Sequence, residues 1–212
     1  MNRVPRIYSY VVASDTGLAP NVTGGICTLA VCKPKIREYA QPGDWVLGMS
    51  IPKHGRTRVI YAMQVSEKIA FSDFFHDARF QSKKPTHDKR GDNFFHLKDG
   101  EYHLAFQSAA HAGKLEALAK DINPPTVLVG EKFWYFGEQA PVLPESLWEK
   151  RLALPDARRR GHRVTEDAAD VEIFSDWIQQ WPAGVHGKPR DLGRSASPIV
   201  PLIIVSRINV GL

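Results

Sequence analysis

The spacing of apolar positions divides the chain into short strands and shorter helices. Residues 6–13 (RIYSYVVA) are dense in β-branched and aromatic side chains and predict a first strand. Residues 27–32 (CTLAVC) and 44–51 (DWVLGMSI) predict two more. The clearest strand covers 57–69, where Val59, Tyr61, Met63 and Val65 alternate with Arg58, Ile60, Ala62, Gln64 and Ser66. That is the period-two pattern of a sheet with one face buried. Residues 126–136 (TVLVGEKFWYF) predict a strand, or a hairpin, bent at Gly130, and 102–106 a further short strand.

Helical spacing is confined to short windows. Ile36 and Tyr39 share a side of a predicted helix over 33–40, closed by the Pro42-Gly43 turn. Residues 72–80 predict a second helix with Ser72 as N-cap. Leu115, Leu118, Ala119 and Ile122 predict a third, ended by Asn123-Pro124-Pro125. Val171, Phe174, Trp177, Ile178 and Trp181 form one stripe of a fourth, stopped by Pro182. Residues 14–26, 81–92, 149–163 and 184–197 read as loops or extensions rich in Gly, Pro or charge, and 198–206 as a last apolar strand.

Strands with small helices between them, in no regular β-α-β alternation, predict an α+β fold with a curled, mostly antiparallel sheet. Residues 1–150 would form the core. Residues 151–212 would form a helical and loop extension that returns a strand to it, within one domain overall. No G-x-G-x-x-G or G-x-x-x-x-G-K-[ST] occurs, so dinucleotide and P-loop chemistry of those kinds is excluded.

Composition then narrows the class. The 212 residues are 43% hydrophobic and 24% charged, the balance of an ordinary globular protein. Two cysteines, Cys27 and Cys32, make no disulfide framework and no Cys-rich zinc site. Arg3 and Arg6 precede no long apolar run, and the stretch at 199–205 is too short to span a bilayer, so a cytoplasmic protein is expected. A formal charge of +5 permits an anionic partner without demanding one.

The basic residues are clustered. Lys33, Lys35 and Arg37 follow a strand at the start of a predicted helix, where added cations suit phosphate; Lys53, Lys83 and Lys84 come next, and the RRRGHR run at 158–163 would attract counterions. Tyr8, Tyr10, Trp45, Trp134 and Tyr135 offer a stacking cage, set against the ordinary role of strand aromatics as core. Trp45, beside a Pro-Gly turn, is the one expected at a rim. Asp15 and Asn21 in the loop after the first strand could read the edge of a base, or serve as turn residues. Asp92 and His96 in GDNFFH, together with Cys27, are the catalytic candidates; no deaminase, H-E-x-x-H or paired-carboxylate signature accompanies them, and no metal or cofactor is expected.

Several stretches carry a more specific signal when taken together: IYSYVVASDTGLAPN at 7–21, GGICTLAVCKPKIR at 24–37, GDWVLG at 43–48, RVIYAMQVSE at 58–67, FFHDARFQSKKP at 74–85, GDNFFH at 91–96 and FWYFG at 133–137. This combination resembles the second type of the nucleotide modification associated domains, small bacterial and phage proteins linked by context to DNA base modification. The short helix, PGDW-V and V-I-Y-A-M-Q-V segments are also similar to the PUA-like barrels of EVE, YTH and ASCH domains, several of which hold a flipped or modified base. The resemblance implies a module that binds a nucleotide or a modified base in nucleic acid. Tyr8, Tyr10, Asp15, Asn21 and Trp45 would shape the pocket. An enzyme that installs, trims or removes a base modification, or an accessory protein that docks through the Trp177–Trp181 helix, are the rival expectations.

Overall fold

The computed structural model describes residues 3–52, 56–86, 90–105, 121–147 and 161–192. Eleven strands among them form three sheets. The first strands are β1 (Ile7–Val11), β2 (Cys27–Leu29), β3 (Trp45–Met49), β4 (Val59–Gln64) and β5 (Glu67–Ala70). They are followed by β6 (Phe95–Lys98), β7 (Glu101–Leu104), β8 (Thr126–Gly130), β9 (Lys132–Tyr135), β10 (His162–Thr165) and β11 (Gly184–Val185). Three helices matter to the argument: α1 (Pro34–Tyr39), α2 (Phe71–His76) and α3 (Ala168–Ile178).

The largest sheet has the order β10-β1-β3-β4-β9-β11, the second β2-β8-β5, and β6–β7 is a hairpin. Most ladders are antiparallel, and β1–β3 and β9–β11 are parallel. The α+β class and the mostly antiparallel pairing therefore stand, but among the described residues the sheets do not close into the expected barrel. Among these residues β10 and β11 are the outer strands of the large sheet, and β2 and β5 those of the small one.

One ribbon joins the two sheets. β4–β5 runs antiparallel to β8–β9, and the register is the same on both sides of a bend at Gly130. β8 and β9 are thus one bent strand that changes sheets rather than a hairpin, since each pairs with other strands and not with its neighbour. Val59–Met63 of β4 are all buried, so the alternation seen in the sequence separates two covered faces, not a wet face from a dry one.

The large sheet carries different side chains on its two faces, because successive residues of a strand point to opposite sides. On one face Trp45 packs at 5.7 Å from Trp134 and 5.4 Å from Phe174. Helix α3 supplies Phe174 and seals this face with Val171 and Ile178. Its N-terminus is capped by Asp167, whose carboxylate accepts from the amides of Ala169 and Asp170. The chain then turns so that the Trp134 indole donates to the Trp181 carbonyl at 2.8 Å. The opposite face bears a row running Tyr10, Gly48, Tyr61 and Tyr135 across four strands. Gly48 is needed there, since a Cβ would fall 2.2 Å from the Tyr61 ring.

Three local expectations are corrected. α2 begins at Phe71 with Ala70 before it, so Ser72 is no cap; a separate 3-10 helix over Ala78–Lys83 is capped instead by Asp77, which accepts from the Arg79 amide. The end of the RRRGHR segment enters β10, where His162 and Arg163 pair with Tyr10 and Ser9 of β1. Cys32 lies beyond β2, in a turn. Lys53 and the expectations for residues 114–120, 149–160 and 198–206 fall outside the described residues.

Candidate functional site

The residues proposed for a base pocket do not meet in one concavity. Trp45 is 3% exposed and lies under α3, on the face opposite the tyrosine row. Its place beside a turn suggested a rim, but a helix more than a hundred residues later in the chain covers it. Trp134 and Tyr8 are equally buried.

Asn21 and Lys83 belong to a buried polar knot. The Lys83 ammonium donates to the Asn21 carbonyl (3.0 Å), to Asn21 Oδ1 (3.1 Å) and to the Ile26 carbonyl (2.7 Å). Asn21 in turn donates to the Gly17 carbonyl. Thr28 donates to Asp92 Oδ2 at 2.6 Å, while Asp92 Oδ1 has no hydrogen-bond partner among the described residues. Asn93 donates to the Phe74 and Phe80 carbonyls. Gly91 sits so close to the Lys83 carbonyl that a Cβ there would be 1.9 Å away. GDNFFH is therefore the seam that binds the 3-10 helix to β2 and α2, and Asp92 has no exposed surface.

Burial pushes the Asp92 carboxyl up to about 6, against the pull of Lys83 and the Thr28 hydroxyl. The ordinary value is about 3.9, so between those pH values the folded chain keeps a proton that the unfolded chain has lost. Its contribution to stability is full below about pH 4 and disappears as the pH rises through about 6. Relative to Asp92→Asn, the parent protein is expected to lose about 3 kcal/mol between pH 4 and 7, read by urea denaturation across the range.

Arg37 is likewise interior. Its guanidinium donates to the carbonyls of Cys32 (3.0 Å), Pro124 (2.8 Å), Thr126 (2.7 Å) and Asp121 (2.5 Å). It ties α1 to the start of β8. Lys35 is exposed and paired with Glu38 at 2.7 Å, and Lys84 places its ammonium 4.0 Å from the Phe75 ring centre. Asp44 accepts from Arg3, from the Arg6 amide and from the Gln41 amide, which is turn chemistry.

What does assemble is the tyrosine row and its surroundings. The Tyr10 and Tyr61 hydroxyls are 2.8 Å apart, and Tyr135 donates to Asp15 Oδ1 at 2.7 Å. The amides of Asp15 and Asp191 each bond to the other residue, and the Arg190 amide donates to Asp15 Oδ2. Burial pushes the Cys27 thiol up to about 12 and the Cys32 thiol to about 11, so neither is a thiolate near neutrality.

One corner of this row reaches the surface. Cys32 and Lys33 are consecutive non-glycine residues in the left-handed region, with φ of 63° and 47°. Such strain persists only where neighbours impose it, and it collects at functional sites. Here Asp121 Oδ1 accepts from the Cys32 amide at 2.7 Å and Arg37 holds the Cys32 carbonyl. The result sets the half-buried Lys33 ammonium 4.5 Å from the Tyr10 ring centre. His162, opposite Tyr10 in the ladder, is held below the usual imidazole range by burial and then by the Lys33 charge. Sequence reasoning missed His162, because its surroundings in RRRGHR read as a charged loop.

Among the described residues, no group of three or more His, Cys, Asp or Glu side chains is placed to hold a metal ion, and no helix is long and apolar enough to cross a membrane. The fold and this corner define a mixed α+β protein with a six-stranded sheet among the described residues and a cation near the end of its first strand. The family model for nucleotide modification associated domain 2 matches residues 4–196, and the chain belongs to that family. No curated protein and no solved structure matches.

Proposed function

We propose that the protein binds a nucleotide, free or as a modified base within nucleic acid, at the corner formed by Lys33, His162 and Tyr10. The observation that carries this reading is the doubly left-handed Cys32-Lys33 turn, which spends backbone energy to hold an ammonium against an aromatic ring beside an imidazole. Lys33 and His162 supply donors for a phosphate, and the Tyr10 ring supplies the apolar neighbour that keeps the ammonium in place. Membership of a family named for nucleotide modification supports the ligand class. Among the described phosphate candidates, Lys33 borders the tyrosine row, while Arg37 and Lys83 are consumed by backbone carbonyls.

The test is a titration at low salt of deoxynucleoside 5′-monophosphates, unmodified and base-modified, followed by calorimetry. Binding is expected for at least one of them, and Lys33→Met should weaken it by about tenfold, the scale of one charged hydrogen bond. Failure of the whole panel to bind, or equal binding by Lys33→Met, would refute the assignment.

A further inference from the structure

The outward face of the β6–β7 hairpin carries chemistry that the corner at Lys33 does not use. His96 and His103 are directly opposed in the ladder, with ring centres 5.7 Å apart, and Lys98 is opposed to Glu101 on the same side. The other side of the hairpin is core, where Phe95 and Tyr102 pack on Phe71. Helix α2 borders the outward face. Its Phe75 ring lies 5.1 Å from His96 and 5.2 Å from His76, with the Lys84 ammonium 4.0 Å away. Three imidazoles, two lysines and a half-buried aromatic ring are thus gathered at one corner, with His76 and Lys98 exposed.

The charges on the same elements decide what this corner attracts. Glu101 on β7, Asp99 in the hairpin turn and Asp73 on α2 oppose Lys84 and Lys98. Asp77 is taken up by Arg79, which also pairs with Glu67. Among the described residues, and while the imidazoles are neutral, Asp73, Asp99 and Glu101 slightly outnumber the two lysines. Three protonated imidazoles reverse the sign.

We propose that this histidine face docks the phosphate backbone of single-stranded nucleic acid, and that docking switches on as the pH falls through the histidine range. Crowding already favours the neutral form of His96, which is held down by burial and then by His103, His76, Lys98 and Lys84. A phosphodiester placed between His96 and His103 removes that repulsion, so proton uptake and strand binding reinforce each other. Phe75 gives a splayed base an apolar neighbour. The proposal shares only its ligand class with the nucleotide reading above and uses a separate surface.

The probe is a thymidine dodecamer, whose bases do not titrate between pH 5.5 and 7.5, with binding followed by fluorescence anisotropy at low salt. Affinity is expected to rise at least about tenfold from pH 7.5 to 5.5, and the ring resonances of His96 should titrate at higher pH with the strand bound. His96→Gln/His103→Gln is expected to remove most of the pH dependence, leaving only what His76 carries, while mononucleotide binding at the Lys33 corner stays unchanged. Affinity independent of pH, an unchanged pH dependence in the double variant, or a His96 titration unmoved by the strand would each overturn the proposal. Loss of mononucleotide binding with the pH-dependent strand binding intact would remove the Lys33 assignment alone.

Discussion

Replacing Arg37 with methionine is expected to destabilise the protein by about 3–5 kcal/mol in urea unfolding, the scale for breaking a buried charged cluster. The guanidinium has no solvent-exposed surface and donates to four backbone carbonyls, one at Cys32 and three within residues 121–126. Methionine fills much of the volume but leaves those oxygens buried without donors, each worth about 1–3 kcal/mol. Arg37→Lys should recover only part of the loss, because one ammonium lacks the planar fork that spans the Cys32, Asp121, Pro124 and Thr126 carbonyls together. Burial holds the Arg37 pKa down to about 10, still far above neutrality, so the penalty should not vary between pH 5 and 8. A phosphate-contacting arginine would show the reverse: unchanged stability and weakened ligand binding.

Lys83→Met is expected to cost a similar amount, about 3–5 kcal/mol at pH 7, with a different pH signature. The ammonium satisfies three oxygens and offsets the charge on Asp92. Without it the Asp92 carboxyl rises further above its ordinary range, so the variant suffers most where Asp92 would be ionised. The deficit should shrink as the pH is lowered through 6 towards 5 and the carboxyl takes up its proton. Lys83→Met/Asp92→Asn should therefore be more stable at pH 7 than Lys83→Met alone. A four-variant denaturation cycle at pH 5 and pH 7 measures the coupling, and an additive cycle at pH 7 would contradict the buried pair.

These two residues show where sequence reasoning stops. CKPKIR and FQSKKP mark cations near strand and helix ends, and that local pattern is the same for a phosphate contact and for an interior staple. What separates them is distant in sequence: Arg37 is used by carbonyls of residues 121–126, and Lys83 by those of Asn21 and Ile26. Trp45 fails for the same reason, since the turn beside it was visible and the covering helix α3 was not.

Patterns that depend on neighbours along the chain were more legible. β1, β3 and β4 follow from their alternating and β-branched residues, α1 from the Ile36–Tyr39 spacing, and the bend from Gly130. β10 was hidden because an edge strand tolerates charge on its open side, so HRVT carries little apolar signal. Of the candidate site, Tyr10 and Lys33 were legible. His162 was not, because its relation to Tyr10 exists only through the β1–β10 ladder.

The outer strands of the large sheet come late in the sequence, β10 beside β1 and β11 beside β9. During synthesis the first strand thus leaves the ribosome long before its outer partner does. Until residues 162–185 have emerged, β1 and β9 each present a bare rim of amides and carbonyls to any other extended chain.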